Sequence, residues 1–412
     1  MSSRLPELAT LSEGQVLAGV PLSQAEAVDL AATGLVSVAP DTAGWQVTAA
    51  YAAGTVRRGD LLVCVRPKVG EVQVLTLLAR AYGIRGLDVD RERVDLAPDA
   101  SLSAVLAVLF CHEARTALGG GPIRGYRTED QTLPVVRGRM RVRDQELRRF
   151  GMLLPVEVTV DEWTLDTPEN RLIRRAVRAL LRLPAVPADV LGTLRRIDRS
   201  LVEVTLEPAG SPIPRWTPTR LTTRLHRLLH LAELVLRHTS VEQAAGRSSA
   251  HGFVVSMSWL FETLVGQLLQ EADSRWRTQA TVKLDVGGLL TIKPDLLLGP
   301  PEDALAVADT KYKLLDERGK IPNADAYQLV TYCERLGLSA GHLIYASEVQ
   351  EVPNRVGIMG SDVTLLVHRV DLTQPLVVIE HRLASLGGEL SGNARPVQPQ
   401  TDEIPLPTRV GV

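Results

Sequence analysis

The sequence predicts an α/β chain in three regions: a β-rich N-terminal domain (1–100), a mixed, mainly helical middle (101–216) and a C-terminal α/β domain (217–385). A disordered tail (386–412) is expected to follow. Three observations predict this. Between residues 12 and 70, short apolar runs alternate with Gly, Asp and Thr turn residues, the mark of small antiparallel strands. Between 101 and 200, apolar residues recur at helical spacing. From about 257 the order reads helix, three antiparallel strands, helix, strand. With 412 residues, 45% of them hydrophobic, the chain can bury two or three cores.

The N-terminal strands are QVLAGV, LVSVA, WQVTAAYAAGTV and LLVCVRPKVG. Helix VQVLTLLARAYG follows and stops at Gly83, and a second helix fills 101–119, closed by Gly119 and Gly120. TLPVVRGRMRVRDQ reads as strands around Gly138. In DTPENRLIRRAVRALLRL, Asp166 or Thr167 caps a helix, and Pro168 and Glu169 suit its first turn. Leu172, Ile173, Ala176, Val177, Leu180 and Leu181 make its apolar stripe. Arg171, Arg174, Arg175, Arg178 and Arg182 fall opposite, as a solvated face or as one that meets phosphate or an acidic partner. A helix at 184–200, a Pro-rich connector at 207–220, a helix at 220–237 and a Gly/Ser break at 246–252 come next. Helix SMSWLFETLVGQLLQEA sets Phe261, Leu264, Val265, Leu268 and Leu269 on one face. Strands then fall at 279–286, 290–298 and 304–314, a helix at 323–336, and strands at 342–346, 363–371 and 375–382.

Several function classes drop out. A net charge of −2 argues against coating nucleic acid by bulk charge, so any DNA contact must be local. Cys64, Cys111 and Cys333 are too scattered for a disulfide framework or a zinc site. His226 and His230 stand four apart on a helix, but no glutamate follows His226 and no third ligand is evident. The chain shows no G-x-S-x-G elbow and no phosphate-binding loop, and at 4% aromatics no segment suited to gripping a flipped base. Without a signal pattern or a membrane-length apolar run, a soluble cytoplasmic protein with no membrane association is expected.

Two strings near residue 300 carry chemistry. KPDLLL holds Asp295, and ADTKYKLL holds Asp309, Thr310 and Lys311, with a Gly299-Pro300-Pro301 turn between them. Alternation places Asp309 and Lys311 on one face of a strand, and hairpin pairing brings Asp295 near Asp309. Two carboxylates, and the Thr310 carbonyl as a third oxygen, suit Mg²⁺, with waters filling the remaining positions. Lys311 suits orienting or deprotonating a water and offsetting charge on a phosphate. Glu262 borders the buried stripe of the preceding helix and is a fourth candidate. Gln328 and Tyr332, four apart on the next helix, can orient Lys311 or touch a DNA backbone. Charged residues amid Leu, Ala and Val are costly unless paired or bound, which favours a site over chance.

These residues resemble the PD-(D/E)xK nuclease superfamily, with Glu262, Asp295, Asp309 and Lys311 on its motif positions and Gln328 and Tyr332 like its QxxxY accessory. The wider chain resembles the McrC family, the nuclease subunit of McrBC-type modification-dependent restriction systems. VRPKVG (Pro67, Lys68), GYRTED with VVRGRMRVRDQ (Arg137, Gly138, Arg139), DTPENRLIRRAV (Asp166, Asn170), SWLFETLV, KPDLLL, DTKYK and AYQLVTYCE follow in family order from about 60 to 336. The resemblance implies a PD-(D/E)xK restriction-endonuclease-like domain over 217–385 and Mg²⁺-dependent cleavage of double-stranded DNA. It also implies an N-terminal region that contacts a McrB-like AAA+ GTPase partner, which reads methylcytosine. Two other readings stay open: an adaptor that activates an NTPase without cutting, and a free-standing nuclease of the same superfamily in repair or another defence system.

Overall fold

The alternating N-terminal runs form strands in the computed structural model, which describes residues 10–58, 61–84, 100–208, 210–242, 250–312, 321–347 and 354–393. They are β1 (Leu11–Ser12), β2 (Val16–Val20), β3 (Val36–Asp41), β4 (Gly44–Ala49), β5 (Ala52–Arg58) and β6 (Leu61–Arg66). A helix absent from the sequence expectation, α1 (Gln24–Ala31), intervenes, opened by a capping box between Ser23 and Glu26. Leu30, Leu35, Val47, Val56 and Val63 share one buried core. α2 (Glu71–Ala81) and α3 (Leu102–Ala117) occupy their expected spans. Leu102, Val105, Leu106, Leu109 and Phe110 bury several sides of α3, as suits a central helix.

β7 (Gly125–Leu133), β8 (Arg139–Met140), α4 (Val142–Arg149) and β9 (Val156–Thr164) form a small sheet in the order β7-β9-β8, with its own helix. Of the strands expected around Gly138, the structure keeps the end of β7 and the short β8, and the segment after β8 is helical. The cause is Glu157, buried on β9, whose carboxylate accepts from Arg141 at 3.1 Å and Arg149 at 2.8 Å and draws α4 onto the sheet.

α5 (Pro168–Leu180) starts as expected, with the Thr167 hydroxyl accepting from the Asn170 N–H and Leu172, Ile173, Ala176, Val177 and Leu180 buried. Its arginines are not simply a solvated face. Arg171 grips Asp166 through two bonds of 2.7 and 2.6 Å, Arg174 donates to the carbonyls of Val202 and Val204, Arg175 to those of Ser211 and Pro212, and Arg178 to Asp198. Long donors here satisfy backbone carbonyls of the connector, and Arg182 alone of the five is exposed.

Asp166 is the hub: it also accepts from Arg127 and from the N–H and hydroxyl of Thr205 at 2.8 and 2.7 Å. The bonds from Arg171 outweigh the burial that opposes them, and hold its carboxyl well below the usual carboxylate range. Asp166→Ala should cost about 3 kcal/mol in urea denaturation at neutral pH. Because the folded value is depressed, the loss should persist at neutral pH and fade only as pH falls through the folded value, in strong acid.

α6 (Ala188–Ser200) and α7 (His226–His238) pack on α5. The His226 ring packs on Trp216 and bonds Thr222 at 3.0 Å, and the His230 ring also packs on Trp216. β10 (Thr239–Glu242) and β11 (Ala250–Ser256) then return to the N-terminal strands, giving the sheet β1-β6-β5-β11-β10. Two glycines permit this: a Cβ at Gly54 (φ 151°) would lie 2.0 Å from the Phe253 carbonyl oxygen, and one at Gly252 would lie 2.6 Å from that of Thr55. The first compact unit therefore runs to Leu260, where the sequence alone suggests a domain start at 217.

The second unit begins at Phe261, within α8 (Met257–Ala272). β12 (Trp276–Thr278), β13 (Val282–Lys283), β14 (Thr291–Ile292), β15 (Leu296–Leu298) and β16 (Ala306–Lys311) follow. Then come α9 (Asn323–Leu336), β17 (Ala340–Ala346), β18 (Asn354–Gly357), β19 (Thr364–Val370) and α10 (Leu376–Asn393). The main sheet is ordered β12-β15-β16-β17-β19-β18, antiparallel from β12 to β16 and parallel from β16 to β19. The expected strand at 279–286 shrinks to β13, with β12 lying ahead of it, and the one at 290–298 breaks into β14 and β15; β13 pairs with β14 as a separate hairpin. Gln279, with φ 54°, ends β12, and Pro294 has no N–H to give a ladder. Residues 313 and 314 of the third expected strand lie outside the described residues.

Residues 375–382, expected as a strand, fall almost wholly within α10. Val377, Val378 and Ile379 favour strand locally, but Ile379, Leu383, Leu386 and Leu390 recur at helical spacing and are all buried. The helix also takes in 386–393, the start of the expected tail, while 394–412 lie outside the described residues. Leu329, Tyr332 and Cys333 of α9 bury against Leu297, Val307, Leu343 and Tyr345 of the sheet. Among the described residues no helix is long and apolar enough to cross a membrane.

Candidate active site

Strand register assembles the site. β15 and β16 pair from Leu298↔Ala306 to Leu296↔Ala308, so Asp295 and Asp309 each lie one residue beyond the last pair, at the same end of the ladder. β12 pairs Thr278 with Leu296, which brings Gln279 to that same end. Lys311, two residues along β16, shares the Asp309 face. Asp309 is 1% exposed, and its Oδ2 faces the Lys311 Nζ at 2.5 Å. The ammonium also donates to the Gln328 Oε1 at 3.0 Å, and the Gln328 amide nitrogen donates to the Tyr332 hydroxyl at 2.7 Å. The ammonium only donates, so it takes the oxygen end of the amide and leaves the nitrogen end for Tyr332.

Asp295 accepts the N–H and hydroxyl of Thr310 on Oδ2, at 2.8 and 2.9 Å, and the Gln279 amide on Oδ1 at 3.2 Å. Gln279 also donates to Glu262. All seven residues singled out in the sequence, Glu262, Asp295, Asp309, Thr310, Lys311, Gln328 and Tyr332, are thus linked by these bonds and by strand register. The Thr310 N–H faces Asp295, and in a strand a residue's carbonyl shares the edge of its N–H, so that oxygen faces the same side.

Electrostatics set the carboxylates apart. Burial, then the charge of Asp295, pushes the Asp309 carboxyl up to about 6, although Lys311 pulls the other way. Burial, then Asp295, also raises Glu262. Burial works against the Lys311 ammonium, but the Asp309 charge and hydrogen bond more than offset it, and the net shift is upward. The Asp309 Oδ1 is buried and has no hydrogen-bond partner among the described residues. A buried anionic oxygen without a donor is what a cation would satisfy. Among the described residues no group of three or more His, Cys, Asp or Glu side chains forms a cage that could hold a metal ion by itself. Asp295, Asp309 and the Thr310 carbonyl are the oxygens that could hold a divalent ion here, with waters filling its other positions.

Two contributors lie beyond what sequence reasoning found. Gln279 carries no local signal, because its role depends on the β12–β15 register. The second is Asp325, which the sequence offers, beside Asn323, only as a candidate cap of the 323–336 helix. In the structure it is buried in the first turn of α9, accepts from the buried Tyr345 hydroxyl at 2.7 Å, and adds to the field that raises Lys311.

The chain as a whole is similar to known proteins. A family model described as McrBC 5-methylcytosine restriction system component matches residues 47–346. A search of curated proteins finds no significant match. Among solved structures, the chain is similar to one in a refined half-complex from a tetradecameric assembly of Thermococcus gammatolerans McrB AAA+ hexamers with bound McrC. Identity there is 18%, the TM-score is 0.63, and the match covers 91% of this chain and 98% of that one. A chain of the Thermococcus gammatolerans McrBC complex is also similar, at 20% identity and a TM-score of 0.45 over 65% of this chain and 89% of that one. The likeness at 0.63 shows a shared fold, and the family model spans well over half the chain. The chain belongs to the McrBC 5-methylcytosine restriction system component family.

Proposed function

We propose that this chain is the DNA-cleaving subunit of a McrBC-type restriction complex in the cytoplasm: a Mg²⁺-dependent endodeoxyribonuclease of the PD-(D/E)xK type. A GTP-hydrolysing AAA+ partner that recognises methylcytosine would switch it on. The observation that carries this reading is the Asp295 carboxylate bonded to Thr310 beside the buried Asp309, with Lys311 held against Asp309 and its Oδ1 left without a donor.

Asp295 and Asp309, with the Thr310 carbonyl, would hold Mg²⁺, and Glu262 stands beside them. The ion, when bound, supplies a Lewis acid that absorbs charge on the scissile phosphate and the leaving oxygen. Lys311 keeps a positive charge at the site, aimed by Asp309 and Gln328, and so orients a water and offsets phosphate charge. The Thr310 donors lock the Asp295 side chain so that its position does not depend on the ion. A non-cleaving adaptor would have no use for a buried Asp–Lys pair, which burdens stability.

The first unit supports dependence on a partner. Its β7–α4–β9 segment shows Phe150 and Leu153 each 87% exposed, with Leu147, Met152 and Leu154 beside them in sequence and also exposed. Such an apolar cluster marks a protein-binding surface, and we assign it to the AAA+ partner. The test is to purify the full chain with that NTPase and assay methylated and unmethylated plasmid with and without GTP and Mg²⁺. Cleavage should need methylation, GTP and Mg²⁺ together. Cleavage indifferent to GTP and methylation would remove the McrBC-type assignment, and no cleavage under any condition would remove the nuclease.

A further inference from the structure

Gln279 is the one non-glycine residue among those described in the second unit with a positive φ, 54°. Glycine adopts that backbone freely, whereas a residue with a side chain is strained there. The half-buried side chain is committed to two carboxylates. Its amide nitrogen donates to Glu262 and, at 3.2 Å, to Asp295 Oδ1, while its backbone N–H donates to the Asp295 carbonyl at 2.9 Å. Both carboxylates only accept, so the NH₂ end must face them, and its two hydrogens serve one each.

We propose that Gln279 is a positioning residue for the divalent ion, an inference that rests on the nuclease reading above. One NH₂ group between Glu262 and Asp295 offsets their repulsion and fixes both rotamers before any ion arrives. Each carboxylate oxygen offers two lone pairs, so an oxygen that accepts from Gln279 can still face a cation. Hydrogen-bond partners of this kind set ligand orientation, and losing one typically weakens metal binding 10- to 100-fold. The strained backbone is retained because the glycine that would relieve it cannot supply the amide.

This assignment separates positioning from folding. Gln279→Gly relieves the backbone and removes the amide. Gln279→Met keeps the strain and the length but has no donor. Mn²⁺ binding to the full chain, without partner or DNA, is measured by calorimetry beside thermal melting, with Asp309→Ala as the control. Both Gln279 variants should bind Mn²⁺ about 10-fold more weakly or worse, with melting showing that each variant is folded at the temperature of the titration. If Asp309→Ala loses Mn²⁺ while either folded Gln279 variant binds it as tightly as wild type, or more tightly, the positioning role is overturned and the metal site stands. If Asp309→Ala binds Mn²⁺ as wild type does, the metal-site reading falls and takes this inference with it.

Discussion

Lys311→Ala should lower the rate of DNA cleavage by the assembled complex about 10³-fold, the size expected when a charge-stabilising group is removed from a buried site. The Lys311 Nζ lies 2.5 Å from Asp309 and 3.0 Å from Gln328, so the charge is aimed rather than free to roam. Its removal acts twice. A phosphate loses a nearby positive charge, and Asp309 loses the partner that limits its upward shift, so less of it is ionised at neutral pH. Lys311→Arg should not restore the rate, because a planar fork cannot occupy the ammonium's point position between those two oxygens. Gln328→Ala should cost about 10-fold, since the lysine then keeps its carboxylate partner but loses its second anchor. Single-turnover plasmid cleavage with saturating partner, GTP and Mg²⁺ decides the matter. A Lys311→Ala rate within threefold of wild type would mean that this lysine is not part of the chemistry.

What the sequence reveals of this site follows from how local each contact is. Asp295, Asp309 and Lys311 sit on two strands joined by a tight Gly299-Pro300-Pro301 turn, so alternation and a short hairpin nearly fix their places. Gln328 and Tyr332 are legible because four residues on a helix make one face. Gln279 is not legible, since its value lies in a left-handed backbone and in a pairing that no short string encodes. The same limit explains β11, which pairs with β5 across nearly two hundred residues and carries the first unit past the boundary suggested by composition. At α10, β-branched Val377, Val378 and Ile379 favour a strand, and only burial along the whole helix overrules them. The arginines of α5 mislead differently: their spacing is helical and polar, but four of the five are held by Asp166 just ahead of the helix and by carbonyls and carboxylates of the segments after it.

Asp309→Asn should make the protein more stable at pH 8, by up to about 3 kcal/mol, while abolishing cleavage. The carboxyl moves from an ordinary 3.8 to about 6 on folding, and each unit corresponds to about 1.4 kcal/mol. The direction follows from proton linkage. A folded value above the unfolded one means that the folded state holds its proton more tightly. The associated stability is full below about pH 4 and is lost as pH rises through 6. Asparagine mimics the protonated form at every pH, so its advantage should be absent near pH 4 and complete by pH 8. The pull of Lys311 on the carboxylate is already contained in that net shift. Urea denaturation of both chains at pH 5 and pH 8 measures the difference, and a gain that does not grow with pH would contradict the burial argument. Millimolar Mg²⁺ should then narrow the gap by stabilising wild type alone, since an ion that binds only the folded, ionised site shifts unfolding by mass action. The same buried charge that weakens the fold without an ion is thereby the one that the ion repays.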